Sequence, residues 1–324
     1  MTFVSIGLRL RVEVEALNMV EALGAYTRHR TVSVFKRLSR DGKAIYRILI
    51  VPAISGQSIA NGYHRAIVDL SKLMKIPVCP ECQNYEKRGG FDKRSTANIT
   101  HDDRVQECAV EDLTGFLAPE AGTRRTSPVS FSYMVPDVES ARAALDPQFH
   151  VKYNFEEKRH QPFNIESGSA IYMLSINVDV SRIGRLESLK SGIYVKDRSK
   201  RVELAFKALS VLIEGLNFGA KKSRYLPINE VIGGIAAISN PLPFVVSAPR
   251  VYRDGHNYIE ETIIRAENYL KVLSDEDYGE IIELIVMDKE NLTKPNAKTV
   301  TITTVETFSE MISHIIKKVT ATAS

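Results

Sequence analysis

From Phe3 to Ala16 apolar and polar positions alternate almost without error. Ile6, Leu8, Leu10, Val12 and Val14 fall on one side, Gly7, Arg9, Arg11, Glu13 and Glu15 on the other, which predicts a half-buried strand. After Leu17-Asn18-Met19 and a break at Gly24, two extended runs, Thr27 to Arg37 and Lys43 to Val51, are joined through Asp41-Gly42, a dipeptide suited to closing a hairpin. The period then changes. Pro52 ends the apolar run Tyr46 to Val51, Ser55-Gly56-Gln57-Ser58 makes a tight polar turn, and Ile59, Tyr63, Ala66, Ile67, Leu70, Leu73 and Met74 recur at helical spacing. Asn61, His64, Arg65 and Lys72 fall opposite that stripe, so one face of the predicted helix is core and the other is free to bind. Ser55 or Ser58 caps the first turn and Gly56 lets the backbone approach a ligand, so N–H groups and the positive end of the helix dipole converge in a geometry suited to phosphate.

Ile76 to Ser127 is rich in Lys, Arg, Asp and Glu with few periodic apolar positions, and reads as an insertion or mobile arm. Val129 to Val135 alternates as a strand, and Asp137 to Leu145 is expected to be a helix. In the polar stretch His150 to Ser169, Lys152, Lys158, Arg159 and His160 lie near Tyr153, Phe155 and Phe163. Cations interleaved with rings suit single-stranded nucleic acid; a loop packing its own aromatics is the other reading. Ala170 to Val180 is apolar on both faces and so central in its sheet. Further on, the periodicity predicts a helix over Lys200 to Leu216, a strand over Leu242 to Val251, a helix over His256 to Leu273, strands over Glu280 to Met287 and Thr299 to Thr304, and a closing helix over Glu306 to Val319. The segments 3–16, 58–75, 128–135, 169–180, 200–216 and 242–251 thus spell strand, helix, strand, strand, helix, strand. That order predicts an α+β fold with a modified ferredoxin-like or RNA-recognition-motif core, interrupted at 17–51, 76–127 and 137–168 and extended by an α/β segment over 252–324.

With 44% hydrophobic and 25% charged residues over 324 positions, the chain is an ordinary globular one, which excludes disorder throughout. It holds no apolar run long enough to span a membrane, and Thr2 to Ala16 carries too many charges for an export signal, so a cytoplasmic protein is expected. Charge is segregated. Arg28 to Arg47 holds seven Lys/Arg against one acid, Lys190 to Arg224 nine against three, and Val251 to the end eight against thirteen acids, a pattern suited to a polyanion at one place and a cationic neighbour at another. The short segment Gly219 to Tyr225 places Lys221, Lys222 and Arg224 on a loop where they can fan out over phosphates.

Cys79-Pro80-Glu81-Cys82 with His101 and Cys108 offers zinc-type ligands. No second CxxC follows, and His101 and Cys108 form no recognised pair, so reduced thiols or a disulfide are the expected states, with no metal or cofactor assigned.

The run ILIVPAISGQSIANGYHRA resembles the first motif of the RAMP superfamily of CRISPR proteins: an apolar strand, a Pro, a Gly-Ser turn and an Arg-bearing helix. SIGLRLRVEVEALNMVEALGAYTRHRTV and NFGAKKSRYLP are similar to the archaeal DevR-type backbone subunit of the type I-A CRISPR effector, Cascade. The resemblance implies a non-enzymatic, many-copy subunit that polymerises along guide RNA (crRNA) and presents it for pairing with single-stranded target DNA. Its expected partners are the crRNA, further copies of itself stacked head to tail, and other Cascade subunits including a RAMP-type one. Asn18, Arg28, Arg30, Ser55, Gln57, Ser58, Lys221, Lys222 and Arg224 match the family's motifs as RNA contacts; His64 and Arg65 are added from the polar face of the first helix, and His160 from the stretch of cations and rings, which does not align with the family residue by residue. The alternative within the superfamily is a metal-independent endoribonuclease that processes repeat RNA, for which His29, His64 and His160 are the available bases.

Overall fold

A computed structural model of the chain describes residues 2–87, 89–91, 93–94, 98–187, 193–273 and 281–323, and its main sheet is built outward from the first strand. In β1 (Phe3–Glu15), Val4, Ile6, Leu8, Leu10 and Val12 are buried as the alternation predicts, but Ser5, Gly7 and Arg9 on the other side are buried too. The strand is therefore covered on both faces along most of its length, not half-buried. The cost of taking the Arg9 guanidinium out of water is offset by Asp137 and Glu290, each 2.6 Å from it. A bulge between Val12 and Glu15, with Val14 at φ 54°, turns Val14 out and Glu15 in.

β2 (Met19–Leu23) and β3 (Tyr26–His29) form a short antiparallel pair, and β4 (Thr31–Arg40) and β5 (Lys43–Pro52) form a separate ribbon. Asp41 and Gly42, both at positive φ, close that ribbon as expected. Next comes α1 (Gly56–Met74). The charged stretch after it is folded, not an arm: α2 (Pro80–Gln83) and α4 (Ala109–Thr114) pack into the core, while α3 (His101–Glu107) and β6 (Phe116–Ala118), which pairs with β7 (Thr123–Arg125), place Val105 and Phe116 in a small cluster with Leu186 and Val195. Its charges are paired inside. Asp112 meets Arg125 at 2.6 Å and Arg201 at 3.1 Å, Glu111 meets Arg94 at 2.6 Å, and Arg104, Glu111, Asp112 and Arg201 are fully buried.

The single strand expected over Val129 to Val135 is two short ones, β8 (Val129–Phe131) and β9 (Val135–Pro136). No helix follows. Asp137 accepts from Arg9, Ser140 and the Val251 N–H and pins the segment as a loop. The polar stretch beyond is a long hairpin of β10 (Ala144–Asn154) and β11 (Arg159–Asp179), whose second half is the central strand predicted over Ala170 to Val180.

α5 (Arg198–Glu214) is followed by β12 (Ile228–Asn240), α6 (Tyr258–Leu273), β13 (Ile281–Asp288), β14 (Thr301–Thr304) and α7 (Phe308–Ala323). Glu280, the expected start of a strand, and Lys190, at the head of the second basic segment, lie outside the described residues. The strand expected over Leu242 to Val251 is instead irregular, since Pro241 and Pro243 remove ladder donors. Its place is taken by β12, where Gly233-Gly234 looks like a break in sequence but serves close packing: a Cβ at Gly234 would come 2.8 Å from Leu8 Cδ2.

The sheet runs β14-β13-β12-β1-β11-β3-β2, with β8, β9 and β10 also paired to β11. Around β1 the order β12-β1-β11-β8/β9 is antiparallel throughout. Ala236, Ile285 and Met287 join α1, α5 and α7 in one core, while the alternate residues Ile235, Ala237, Leu284 and Val286 join Phe244, Val246 and α6 in a second on the opposite face.

Candidate nucleic-acid interface

The site grows from Leu17 and Asn18, just past the end of β1. Leu17 O accepts from the Ala220 N–H at 2.9 Å, which docks the basic loop Gly219 to Tyr225. Asn18 O accepts from the Arg30 N–H, and Asn18 Oδ1 accepts from the Ser55 N–H, both at 2.8 Å. Arg30 O in turn accepts from the Ala53 N–H at 2.9 Å. One Leu-Asn step therefore holds the head of β4, the cap of α1 and the basic loop against one another.

Ser55 is the N-cap of α1: its Oγ accepts from the Ser58 N–H at 3.2 Å, which leaves the Gly56 and Gln57 N–H groups ahead of the helical ladder. Gly56 serves a different purpose from the one its sequence suggests. A Cβ there would lie 2.9 Å from the Phe131 carbonyl oxygen, so the missing side chain admits the chain before Ser132 and not a ligand. Gly62, six residues further along α1, is tighter still, with Asn217 O 2.1 Å from where its Cβ would stand. Asn217 Nδ2 donates to Gly62 O at 3.3 Å and Arg65 Nη2 donates to Asn217 O at 3.1 Å, which fixes the root of the basic loop on α1.

Within that loop Lys221 and Arg224 are exposed, whereas Lys222 Nζ donates to Leu216 O at 2.7 Å just past α5. Burial, and then the neighbouring Arg65 charge, lower the Lys222 pKa. Lys222 and Arg65 thus anchor the loop, and Lys221 and Arg224 remain for a phosphate chain. At the loop's end, Tyr225 meets His150 Nε2 through its hydroxyl and ties it to the long hairpin.

The three candidate histidines are placed apart. The ring of His64 sits edge-on to Phe91 at 4.8 Å, and burial, with help from Lys93, pushes its pKa down to about 3, so it stays neutral and is no partner for phosphate by charge. His29 is buried: its Nδ1 donates to Arg30 O at 2.7 Å, and Nε2 lies 2.7 Å from Glu15 Oε1 in an ion-pair contact without hydrogen-bond alignment. Burial opposes its charge, but the Glu15 carboxylate and the Arg30 carbonyl outweigh it and raise the pKa. His160 stands exposed on the hairpin with its ring 5.2 Å from Tyr153. There, Thr27, Lys152, Arg159, His160 and Phe163 line an open groove of about 670 Å³ beside Arg28's strand. Of the interleaved cations and rings of that stretch, Lys152, Arg159, His160 and Phe163 face this hollow, while Lys158, Tyr153 and Phe155 do not line it.

Sequence reasoning missed the group that braces this arrangement. Glu15 accepts from the Tyr172 hydroxyl and the Leu17 N–H, each at 2.7 Å, and Glu166 accepts from the Tyr26 hydroxyl at 2.6 Å and the His29 N–H at 2.7 Å. Of the zinc-type candidates, Cys79, Cys82 and Cys108 converge, while His101 turns to Asp102 and Glu187.

A family model described as CRISPR-associated negative auto-regulator DevR/Csa2 matches residues 6–263, from β1 to the first turns of α6. The chain belongs to the DevR/Csa2 family. Two relatives from Saccharolobus solfataricus carry the match across nearly the whole chain. The CRISPR-associated protein Cas7/Csa2 1 is 34% identical over 294 residues, covering 84% of this chain and 89% of that protein. The CRISPR-associated aCascade subunit Cas7/Csa2 2 is 30% identical over 316 residues, covering 89% of this chain and 93% of its own length. A chain of a solved CRISPR RNA-guided surveillance complex in a pre-nicking state superposes with a TM-score of 0.55 at 10% identity, covering 98% of this chain and 100% of that one. The DevR/Csa2 match includes the Asn18 hub, the α1 cap and the basic loop, and leaves β13, β14 and α7 beyond its end.

Proposed function

We propose that this DevR/Csa2 chain is a crRNA-binding backbone subunit of an archaeal Cascade: it polymerises along the guide, holds its phosphates, and leaves the bases to pair with single-stranded target DNA. Its core, with β1 between β11 and β12 and with α1 and α5 on one face, is a ferredoxin-like arrangement enlarged by inserts. The single observation that carries the reading is the hub at Leu17-Asn18, which gathers the helix cap, Arg30 and the Lys221/Arg224 loop at the end of the central strand. Backbone donors at a helix start, flanked by exposed cations, hold phosphate without reading bases, as a subunit placed along arbitrary sequence must.

The role is non-catalytic. An endoribonuclease needs a base within reach of a 2′-hydroxyl, and His29 is committed to Glu15 while His64 is half-buried and held neutral beside Phe91. Supporting this, α1 as the RNA-facing helix presents Gln57 and Ser58 rather than a titratable pair.

Binding of the purified chain to single-stranded RNA, titrated with salt, tests the proposal. Affinity should fall linearly in log–log form with a slope of several phosphates and vary little among sequences of equal length. Binding that ignores salt, strong preference for one sequence, or cleavage of repeat RNA would overturn it.

A further inference from the structure

Cys79, Cys82 and Cys108 take part in none of the contacts described for the RNA interface. Cys79 is the N-cap of α2, Cys82 lies inside that helix, and Cys108 ends α3 and begins α4. The Ala109 N–H donates to Pro77 O at 2.9 Å, so the two segments are laced together beside the sulfurs. The three Sγ atoms lie within 4.8 Å of one another, and the side chains are buried, Cys82 and Cys108 at 0% exposure and Cys79 at 3%.

Packing alone accounts for burial of single thiols, which behave as small hydrophobes. It does not account for the two sulfurs of the α2 turn converging with a third from the α3–α4 junction, 26 residues beyond Cys82. Sulfurs bound to a common tetrahedral zinc at ~2.3 Å stand roughly 3.8 Å apart, so closing by about an ångström or less would complete the geometry. A backbone donor and a cation stand beside the cluster. The Glu111 N–H, at the start of α4, donates to Cys108 Sγ at 3.5 Å. Lys93 Nζ, held by Thr114 Oγ1 at 2.7 Å and by the Thr114 and Gly115 carbonyls, lies within electrostatic range of all three sulfurs. Three thiolates on a dication leave one net negative charge, which that ammonium offsets.

We propose that Cys79, Cys82 and Cys108 bind one zinc ion, with a water or small ligand in the fourth position. Binding releases three thiol protons to solvent and forms three Zn–S bonds. The ion clips α2 to the α3–α4 junction, closing the long loop between them and fastening the insert to the core beneath α1.

The test uses the full chain, purified without a histidine tag and under reductant. Elemental analysis should find close to one zinc per chain; thiol counting under denaturing conditions with chelator should find three free thiols; cobalt exchange should give an intense thiolate-to-metal absorption band. Cys108→Ser should reduce zinc to background. If that variant fails to fold, the wild-type metal and thiol counts still decide. Three free thiols with no metal, or one free thiol with no metal because the other two form a disulfide, overturns the proposal.

Discussion

Asn18 spends its carbonyl on Arg30 and its side-chain oxygen on Ser55, and it sits next to the residue that receives the basic loop. Asn18→Ala should therefore cost about 1 kcal/mol of stability, the usual value for a lost hydrogen bond, yet lower RNA affinity by a larger factor because the cap and loop lose their common reference. Melting curves and RNA titrations on one preparation check this; an unchanged affinity would mean the hub is only structural. The Ser55 cap was legible because a Ser before a helix is a local signal, whereas Asn18 was marked only by the family resemblance. The Glu15–His29–Tyr172 group was not legible. Glu15 stands in the polar register of an alternating strand, and only the bulge at Val14 turns it inward. That group makes a pH prediction. His29 has its pKa raised in the fold, so its stabilisation is complete below the unfolded value of about 6.5 and is lost as pH climbs through the folded one. Compared with a His29→Gln variant, the wild type should lose melting temperature as pH rises above about 6.5. Parallel curves would exclude His29 as the source.

At the scale of elements, the sequence showed β1, α1, α5 and the Asp-Gly hairpin because each has one clear period or turn signal. It hid β12 behind two glycines placed for Leu8 and Tyr258, and hid the fold of 76–127 because paired buried charges look, in one dimension, like a solvated loop. The β4–β5 ribbon is legible but unusual in what it exposes: Phe35, Tyr46, Ile48 and Ile50 stand 60–75% exposed beside Arg37, Arg40, Lys43 and Arg47. It is tied down midway by Lys36 to Val138 O and by the Arg37 N–H to Glu139, and beyond them Leu38, Ser39, Gly42 and Ala44 line an open hollow with Tyr252, Arg253 and Asp254. Replacing Leu38–Ile45 by Asn-Gly, which rejoins the Arg37–Tyr46 pair through a two-residue turn, should leave the melting temperature within a few degrees. The same change should weaken assembly of several copies on a long RNA, read by sedimentation. A large drop in melting temperature would show the ribbon tip to be part of the fold.

Over the whole molecule, counting charges exaggerates what is available for binding. In the second basic segment Arg201 is spent on Asp112 and Asp197, Lys207 on Glu203, and Arg198 lies over the Tyr194 ring, so Lys221 and Arg224 carry most of what the loop can offer to phosphate. The acidic C-terminal part is thinned in the same way: Glu290 holds Arg9, Glu283 pairs with His314 and Lys318, and Glu267 accepts from the Lys298 and Thr299 N–H groups. Glu260 and Glu261 are exposed in the first turn of α6, where they can face a cationic neighbour. If copies stack head to tail along RNA with that end near the basic ribbon of the next, reversing both to Lys should shorten the particles. Loss of two acids from a helix N-terminus should cost only about 0.3–1 kcal/mol each, so monomers should remain folded and still bind short RNA. Native mass spectrometry on long RNA should show wild-type masses rising in single-subunit steps, with the double variant stopping at fewer copies. Equal lengths for both would remove these acids from the contact, and closed dimers alone would rule out the open stack.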